Sequence, residues 1–151
     1  MCQLLLIKHG KGAVGFRCFG LGPHFRPVKG IHKLQQLFDA NASWASRRGM
    51  KDLKKMISKS TVVVTAWNEN KLIGFGRATS DTIFRAVLWD IVVDNNYRNL
   101  GIGRKIIQLI INDNLLKNVE KIYLMTTHCN KFYLKMNFDI EKRKTLMVIN
   151  R

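Results

Sequence analysis

The sequence predicts a single α/β domain built on a mixed sheet, and three observations carry that expectation. Runs of β-branched and aliphatic residues bounded by turn formers, such as Thr61–Trp67 and Arg85–Val93, read as strands. Segments with apolar residues at i, i+3 and i+4, such as Ile31, Leu34, Leu37 and Phe38, read as amphipathic helices. Their order is helices, a meander of strands, then strand–helix–strand–helix–strand, which is the order of a mixed sheet with packed helices. A chain of 151 residues is long enough to bury a core of this kind.

Taken in order, residues 1–24 hold five of the eleven glycines and little periodicity, and are expected as a loose leader or edge segment before a domain at 25–151. They contain Gly10-Lys11-Gly12-Ala13-Val14-Gly15, a formal GxGxxG match. A dinucleotide fingerprint needs a helix directly after it, and Phe16–Pro23 is not expected to supply one. Phe25–Val28 reads as a short first strand. A helix runs from Ile31 to about Asn41, and a second covers Met50–Lys59 with Leu53, Met56 and Ile57 inward. Thr61–Trp67, the turn Asn68–Lys71 and Leu72–Thr79 form a hairpin. Arg85–Val93 is the most apolar strand and is expected at the centre. Gly103–Leu116 reads as a helix burying Ile106, Ile107 and Ile110. Lys121–Thr126 is a strand, Asn130–Met136 a short helix and Leu146–Ile149 a last strand. Trp44, Trp67 and Phe75 read as packing residues.

Lys and Arg outnumber Asp and Glu by 26 to 10, a formal charge of +16. The surplus favours polyanionic partners, whether nucleic acid, an anionic surface or a phosphate-rich cofactor. The basic residues are scattered, with no run of five or six like charges, which fits cofactor attraction plus the Lys/Asn/Ile bias of A/T-rich codons. The central strand offers Trp89 alone, without the interleaved aromatics of an RNA-binding sheet, so no specific nucleic acid is expected. Cys2, Cys18 and Cys129 form neither a disulfide framework nor a CxxC metal pair. No apolar stretch approaches membrane-spanning length, and the start carries neither a signal-peptide core nor a transit-peptide composition.

The segment richest in chemistry runs from Ile91-Val92-Val93-Asp94 through Arg98-Asn99-Leu100-Gly101-Ile102-Gly103 into a helix. A buried strand, a polar turn with two glycines and a helix N-terminus together make an anion cradle. The glycines let the backbone approach a ligand. The unpaired N–H groups of the first turn face it. Arg98, Arg104 and Lys105 add charge-assisted contacts to phosphate.

This Arg-x-x-Gly-x-Gly turn resembles the signature of the GNAT superfamily of N-acetyltransferases. Asn130-Lys131-Phe132-Tyr133 through Phe138 is similar to the family's late Phe-Tyr segment. Leu72–Asp81 and Leu88-Trp89-Asp90 resemble the chloroplast and cyanobacterial branch, which includes plant serotonin N-acetyltransferases and plastid protein acetyltransferases. The resemblance spans Ile31–Phe138. It implies a mostly antiparallel mixed sheet with helices on both faces and a splayed central strand. It implies acetyl-CoA as co-substrate, held by the backbone of Ile91, Val92 and Val93, by Arg98, Asn99, Leu100, Gly101, Ile102, Gly103 and Arg104, and by Asn130. A small amine or protein amine would attack the thioester directly.

Two proton problems follow from that chemistry. An alkylamine with a pKa of about 10 must lose a proton before it attacks, and the departing thiolate gains from a nearby acid. The resemblance gives Tyr133 the role of acid. Asp90, inside an apolar strand, is either a partnered structural carboxylate or a functional one. The resemblance implies an acidic residue, usual in the plant members, where this chain has Thr126, and His128 close by is the alternative base. Two other readings stay open: a basic nucleic-acid-binding module, and a non-catalytic coenzyme A-binding fold. The resemblance and composition together imply a plastid protein, expected to be plastid-encoded, or else one of a bacterial cytoplasm.

Overall fold

The computed structural model describes residues 3–151; Met1 and Cys2 lie outside the described residues. Five strands form one sheet in the order β1 (Leu4–His9), β2 (Val62–Asn68), β3 (Lys71–Ser80), β4 (Arg85–Val93) and β5 (Lys121–Tyr123). The first four pair antiparallel and β4–β5 is parallel. Helices α1 (Val14–Phe19), α2 (Gly30–Asn41) and α3 (Met50–Ser58) pack on one face, and α4 (Ile102–Ile111) on the other; α5 (Asn130–Leu134) follows β5.

Two half-cores result from the alternation of side chains along the strands. Val63, Trp67 and Phe75 meet Phe16, Leu34, Phe38 and Leu53. Val62, Val64, Ala66 and Ile73 meet Ile102, Ile106, Ile107 and Ile110 of α4. Strand β2 is buried on both sides, so its run Val62–Trp67 is continuously apolar but for Thr65. The Thr65 hydroxyl accepts the Trp67 indole N–H at 2.8 Å and lies 2.8 Å from His9 Nε2. The sheet is therefore an α/β sandwich of the expected kind, but Arg85–Val93 is not its centre: β4 stands second from the edge, between β3 and β5, and β3 holds the middle.

Several elements differ from expectation. Leu4–His9 is an edge strand of the main sheet, and Phe16 after it sits in the core, so the N-terminal residues pack with the rest. A short helix, α1, does follow the GxGxxG match, because Gly12 and Ala13 take up left-handed dihedrals that turn the chain into it. Phe25–Val28 is not a strand. Pro23 and Pro27 remove donors, His24 and Phe25 have positive φ, and only one bridge, Leu21 to Pro27, forms. Helix α4 stops at Ile111 rather than Leu116, where the Asp113 carboxylate takes the Leu115 N–H and pairs with Lys8 at 2.9 Å. Leu146–Ile149 forms no strand and lies exposed. Trp44 is also exposed, at 63%, rather than packed.

Candidate active site

The central feature is where β4 parts from β5. Their ladder comprises Arg85–Lys121, Ala86–Ile122 and Val87–Tyr123, and then ends. Strand β4 continues to Val93 with β3 as its one neighbour among the described residues, still paired at Val93–Gly74. On its β5 side Leu88–Val93 has no strand partner among the described residues, and backbone polar groups left so seek one. The expected splay is present, and Ile91, Val92 and Val93 lie along it.

Midway, the β3–β4 register slips. Trp89 faces Arg77 and Val92 faces Phe75, so Asp90 and Ile91 together oppose Gly76. Asp90 has φ of 53°, the left-handed twist of a bulge. Gly76 is glycine for a packing reason. A Cβ there would sit 2.6 Å from Ile106 and 2.8 Å from Ile91, both of which fill its place. The Asp90 carboxylate is 5% exposed. One oxygen accepts Arg77 Nε–H at 2.8 Å and the other an Arg48 N–H at 3.1 Å. Of the two open readings for Asp90, the geometry is that of a partnered carboxylate.

Strand β4 runs out toward α4 through a tight polar turn. Asp94 caps a 3-10 turn at Asn95–Tyr97 by accepting the Asn96 N–H. Burial opposes its charge, but the Lys71 ammonium at 2.9 Å and the Asn96 contact hold the carboxyl below its ordinary range. The next residues, Arg98, Asn99 and Leu100, are exposed. Gly101 precedes α4 at φ of 77°, and a Cβ on it would meet nothing within 4 Å. Open space thus faces the first turn of a ten-residue helix whose first turn holds no acidic side chain. Its initial N–H groups have no intrahelical acceptor. Arg104 and Lys105 are exposed beside them. These residues fit a pyrophosphate: a helix N-terminus, an unobstructed left-handed glycine and flanking cations.

Helix α5 closes the group. Phe132 lies 3.4 Å from where a Gly103 Cβ would be, which puts α5 against the start of α4 and the end of β4. Tyr133 is wedged between Phe132 and Phe138, with ring centroids at 5.0 and 5.8 Å. Burial pushes its hydroxyl up to about 12, with a smaller contribution from Cys129. Asn130 begins α5 and is exposed. His128 is exposed in the bend leading to it, where Thr126 accepts the Cys129 N–H at 3.1 Å. Gly101–Arg104, Ile91–Val93 and Tyr133 are therefore brought to one end of the splay. Asp90 is turned into its ion pairs instead. A separate cleft of about 910 Å³, lined by Asn41, Asn68, Lys71, Asp94 and Tyr97 among others, contains none of the expected site residues.

Arg48 and Arg77 are the participants that sequence reasoning missed. A signal existed: Arg77 and Asp90 are opposite charges in the interior of two neighbouring, largely apolar strands, and each needs a partner.

The profile of the acetyltransferase (GNAT) family matches residues 31–138. The chain belongs to the GNAT family. It is 32% identical over 143 residues to an uncharacterized N-acetyltransferase ycf52 from Gracilaria tenuistipitata var. liui, covering 90% of this chain and 75% of the relative. It is 31% identical over 123 residues to a histone acetyltransferase from Glycine max, covering 74% of this chain and 52% of the relative. An acetyltransferase from Streptococcus pneumoniae TIGR4 of the same family superposes with a TM-score of 0.72 at 19% identity, covering 99% of each chain; that likeness speaks to the fold. Several other relatives are longer, and the chain spans 64% of the ycf52 protein of Pyropia yezoensis. The expected enzyme class, an N-acetyltransferase, is the one these GNAT relatives carry in their names.

Proposed function

We propose that this GNAT chain moves an acetyl group from acetyl-CoA to a primary amine in a plastid. The observation that carries the reading is the single continuous path formed by the β4–β5 splay and the α4 N-terminus. One end offers strand-like backbone groups, and the other an anion cradle at Gly101. That sequence of chemistries suits an amide-bearing arm ending in a pyrophosphate. Arg98–Arg104 would hold the phosphates, and Ile91–Val93 and Asn130 the arm. Bound there, acetyl-CoA supplies the activated acetyl as a thioester.

The protein's own task is proton management and water exclusion. The amine nitrogen bonds to the acetyl carbon, the carbon–sulfur bond breaks, and the nitrogen sheds a proton. With its hydroxyl pushed up to about 12, Tyr133 stays protonated at every working pH. It is a weaker acid than an ordinary thiol, so full transfer to a thiolate is uphill. Its part is to donate a hydrogen bond to the sulfur as charge develops, stabilising the leaving group. His128, exposed on the approach to α5, receives the amine's proton, directly or through water. Asp90 is not needed as base in this scheme.

The acceptor is either a protein lysine or N-terminal amine, or a small arylalkylamine such as serotonin. The name of the Glycine max relative favours the protein amine. Names such as ycf52 and "GCN5-related N-acetyltransferase 2, chloroplastic" among the relatives support the plastid.

Calorimetric titration of acetyl-CoA tests the cofactor, and a mass-spectrometric screen of lysine peptides, N-terminal peptides and serotonin with labelled acetyl-CoA tests transfer. Saturable binding that Gly101→Trp abolishes, with label on one amine class, is the expected result. No binding, or a Gly101→Trp variant that binds like wild type, would sink the reading. Binding without label on any amine would leave a coenzyme A-binding protein that does not turn over.

A further inference from the structure

We infer that Asp90 is a positioning residue whose carboxylate latches the α2–α3 connection onto the β4 bulge, setting the wall along which the acceptor amine approaches. The inference rests on the acetyl-transfer reading for what the wall faces, though the latch itself is a matter of geometry.

Three elements meet at this carboxylate. Asp90 belongs to β4, Arg77 to β3, and Arg48 to the connection between α2 and α3. The connection is tied to α2 as well. Gln35 Nε2 donates to the Arg48 carbonyl at 3.1 Å, and the Arg47 N–H donates to the Asp39 carboxylate at 2.8 Å. Each guanidinium also lies over an aromatic ring: Arg48 over Phe38 and Arg77 over Trp89, both at 5.7 Å. Both oxygens of Asp90 are engaged, and the carboxylate is almost fully covered.

The place of this cluster gives it a task. A buried ion pair that served only stability could sit anywhere along the β3–β4 ladder. This one sits at the single residue of β4 with a left-handed dihedral, where the register slips and one residue before Ile91. Whatever is bound to Asp90 is therefore held beside the backbone that would carry the thioester arm. What is bound is Arg48, one-third exposed, together with a connection that displays Trp44 to solvent. The bulge and the wall are fixed to each other by one carboxylate. With one oxygen on Arg48 and the other on Arg77, the carboxylate has neither oxygen turned to an incoming amine.

Hydrogen-exchange mass spectrometry and steady-state kinetics on the full chain test this, using Asp90→Asn, Arg48→Ala, Arg48→Lys and the Asp90→Asn/Arg48→Ala double variant. In Asp90→Asn and Arg48→Ala, amides of residues 43–49 should exchange about tenfold faster, with β2 unchanged. The KM for serotonin or a lysine peptide should rise about tenfold, with kcat within about threefold and the pH profile of kcat/KM retained. The acetyl-CoA Kd should stay within about twofold. The double variant should be no worse than the poorer single one, and Arg48→Lys should recover part of the loss. Unchanged exchange at 43–49 would overturn the latch. So would a fall in kcat of about a hundredfold or more at unchanged KM with loss of the acidic limb, since that marks a base. If Asp90→Asn does not fold, the two Arg48 variants decide the matter, because they leave the Asp90–Arg77 pair intact. Failure of the wild-type protein to bind acetyl-CoA would remove the acetyl-transfer reading, while the exchange data would still judge the latch.

Discussion

On the acetyl-transfer reading, Tyr133 and Gly101 show how single residues set the chemistry of this GNAT protein. Packing between Phe132 and Phe138 desolvates the tyrosine, and the hydroxyl rises to about 12 because burial penalises the phenolate. A residue held so firmly protonated donates a hydrogen bond without titrating near neutrality. Tyr133→Phe should therefore lower kcat by roughly 10²-fold with little change in acetyl-CoA affinity, and the wild-type pH–rate profile should show no limb from this group below pH ~10. Stopped-flow assay of thiol release across pH reads both. At Gly101 the argument is conformational. The residue sits at φ of 77° with open space around it. Alanine there costs about 1 kcal/mol of left-handed strain without a clash, whereas tryptophan fills the space a phosphate would use. The variant Gly101→Trp should stay folded by circular dichroism, melting a few degrees lower, while losing acetyl-CoA binding in calorimetry.

At the scale of elements, helix α4 and the turn before it act as a unit. Its buried face of Ile102, Ile106, Ile107 and Ile110 fixes the helix on the sheet, which aims its N-terminus along the splay. The cations flanking that end are exposed, so their attraction for phosphate is screened by salt. Arg98→Ala combined with Arg104→Ala should weaken acetyl-CoA binding by roughly 10- to 100-fold at low ionic strength and flatten its salt dependence, measured by titration at several salt concentrations. This unit was legible in the sequence, because an apolar strand, a glycine turn and an amphipathic helix are local patterns. Other elements were not. The bulge at Asp90 depends on which residue of β3 faces it, a long-range fact that periodicity along β4 does not carry. Arg48 is separated from Asp90 by 42 positions, and no spacing rule connects them. Leu146–Ile149 has strand-like composition but no paired neighbour, so propensity alone misplaces it. The opposite error befell Val14–Phe19, where glycine-rich flanks masked a helix that tertiary packing of Phe16 supports.

For the whole molecule, the N-terminal strand ties stability to pH. His9 on β1 is largely buried against Phe16 and Thr65, and burial lowers its pKa to about 4. The unfolded chain binds this proton near pH 6.5 and the folded one only near 4. The contribution is thus fully present above pH ~6.5 and is lost progressively as the pH falls toward 4. Partial exposure of the ring keeps the loss on the order of 2 kcal/mol. Urea titrations between pH 7 and pH 4.5 should show the midpoint falling, and His9→Gln, which cannot take up the proton, should flatten the fall. The +16 surplus is a separate, global effect that steers anions toward the surface without selecting one.

The parting of β4 from β5 has a consequence beyond binding geometry. A sheet whose last ladder stops after three pairs is weakest at that seam, and on the acetyl-transfer reading the missing hydrogen-bonding partner is a metabolite rather than a strand. On the acetyl-transfer reading, acetyl-CoA is in effect a removable sixth strand. Ligand at a hundred times its dissociation constant adds about 2.7 kcal/mol to the folded state. The lifetime of the protein against unfolding and proteolysis would then follow the local supply of acetyl groups, so that starvation for carbon thins the enzyme's own population before any regulator acts.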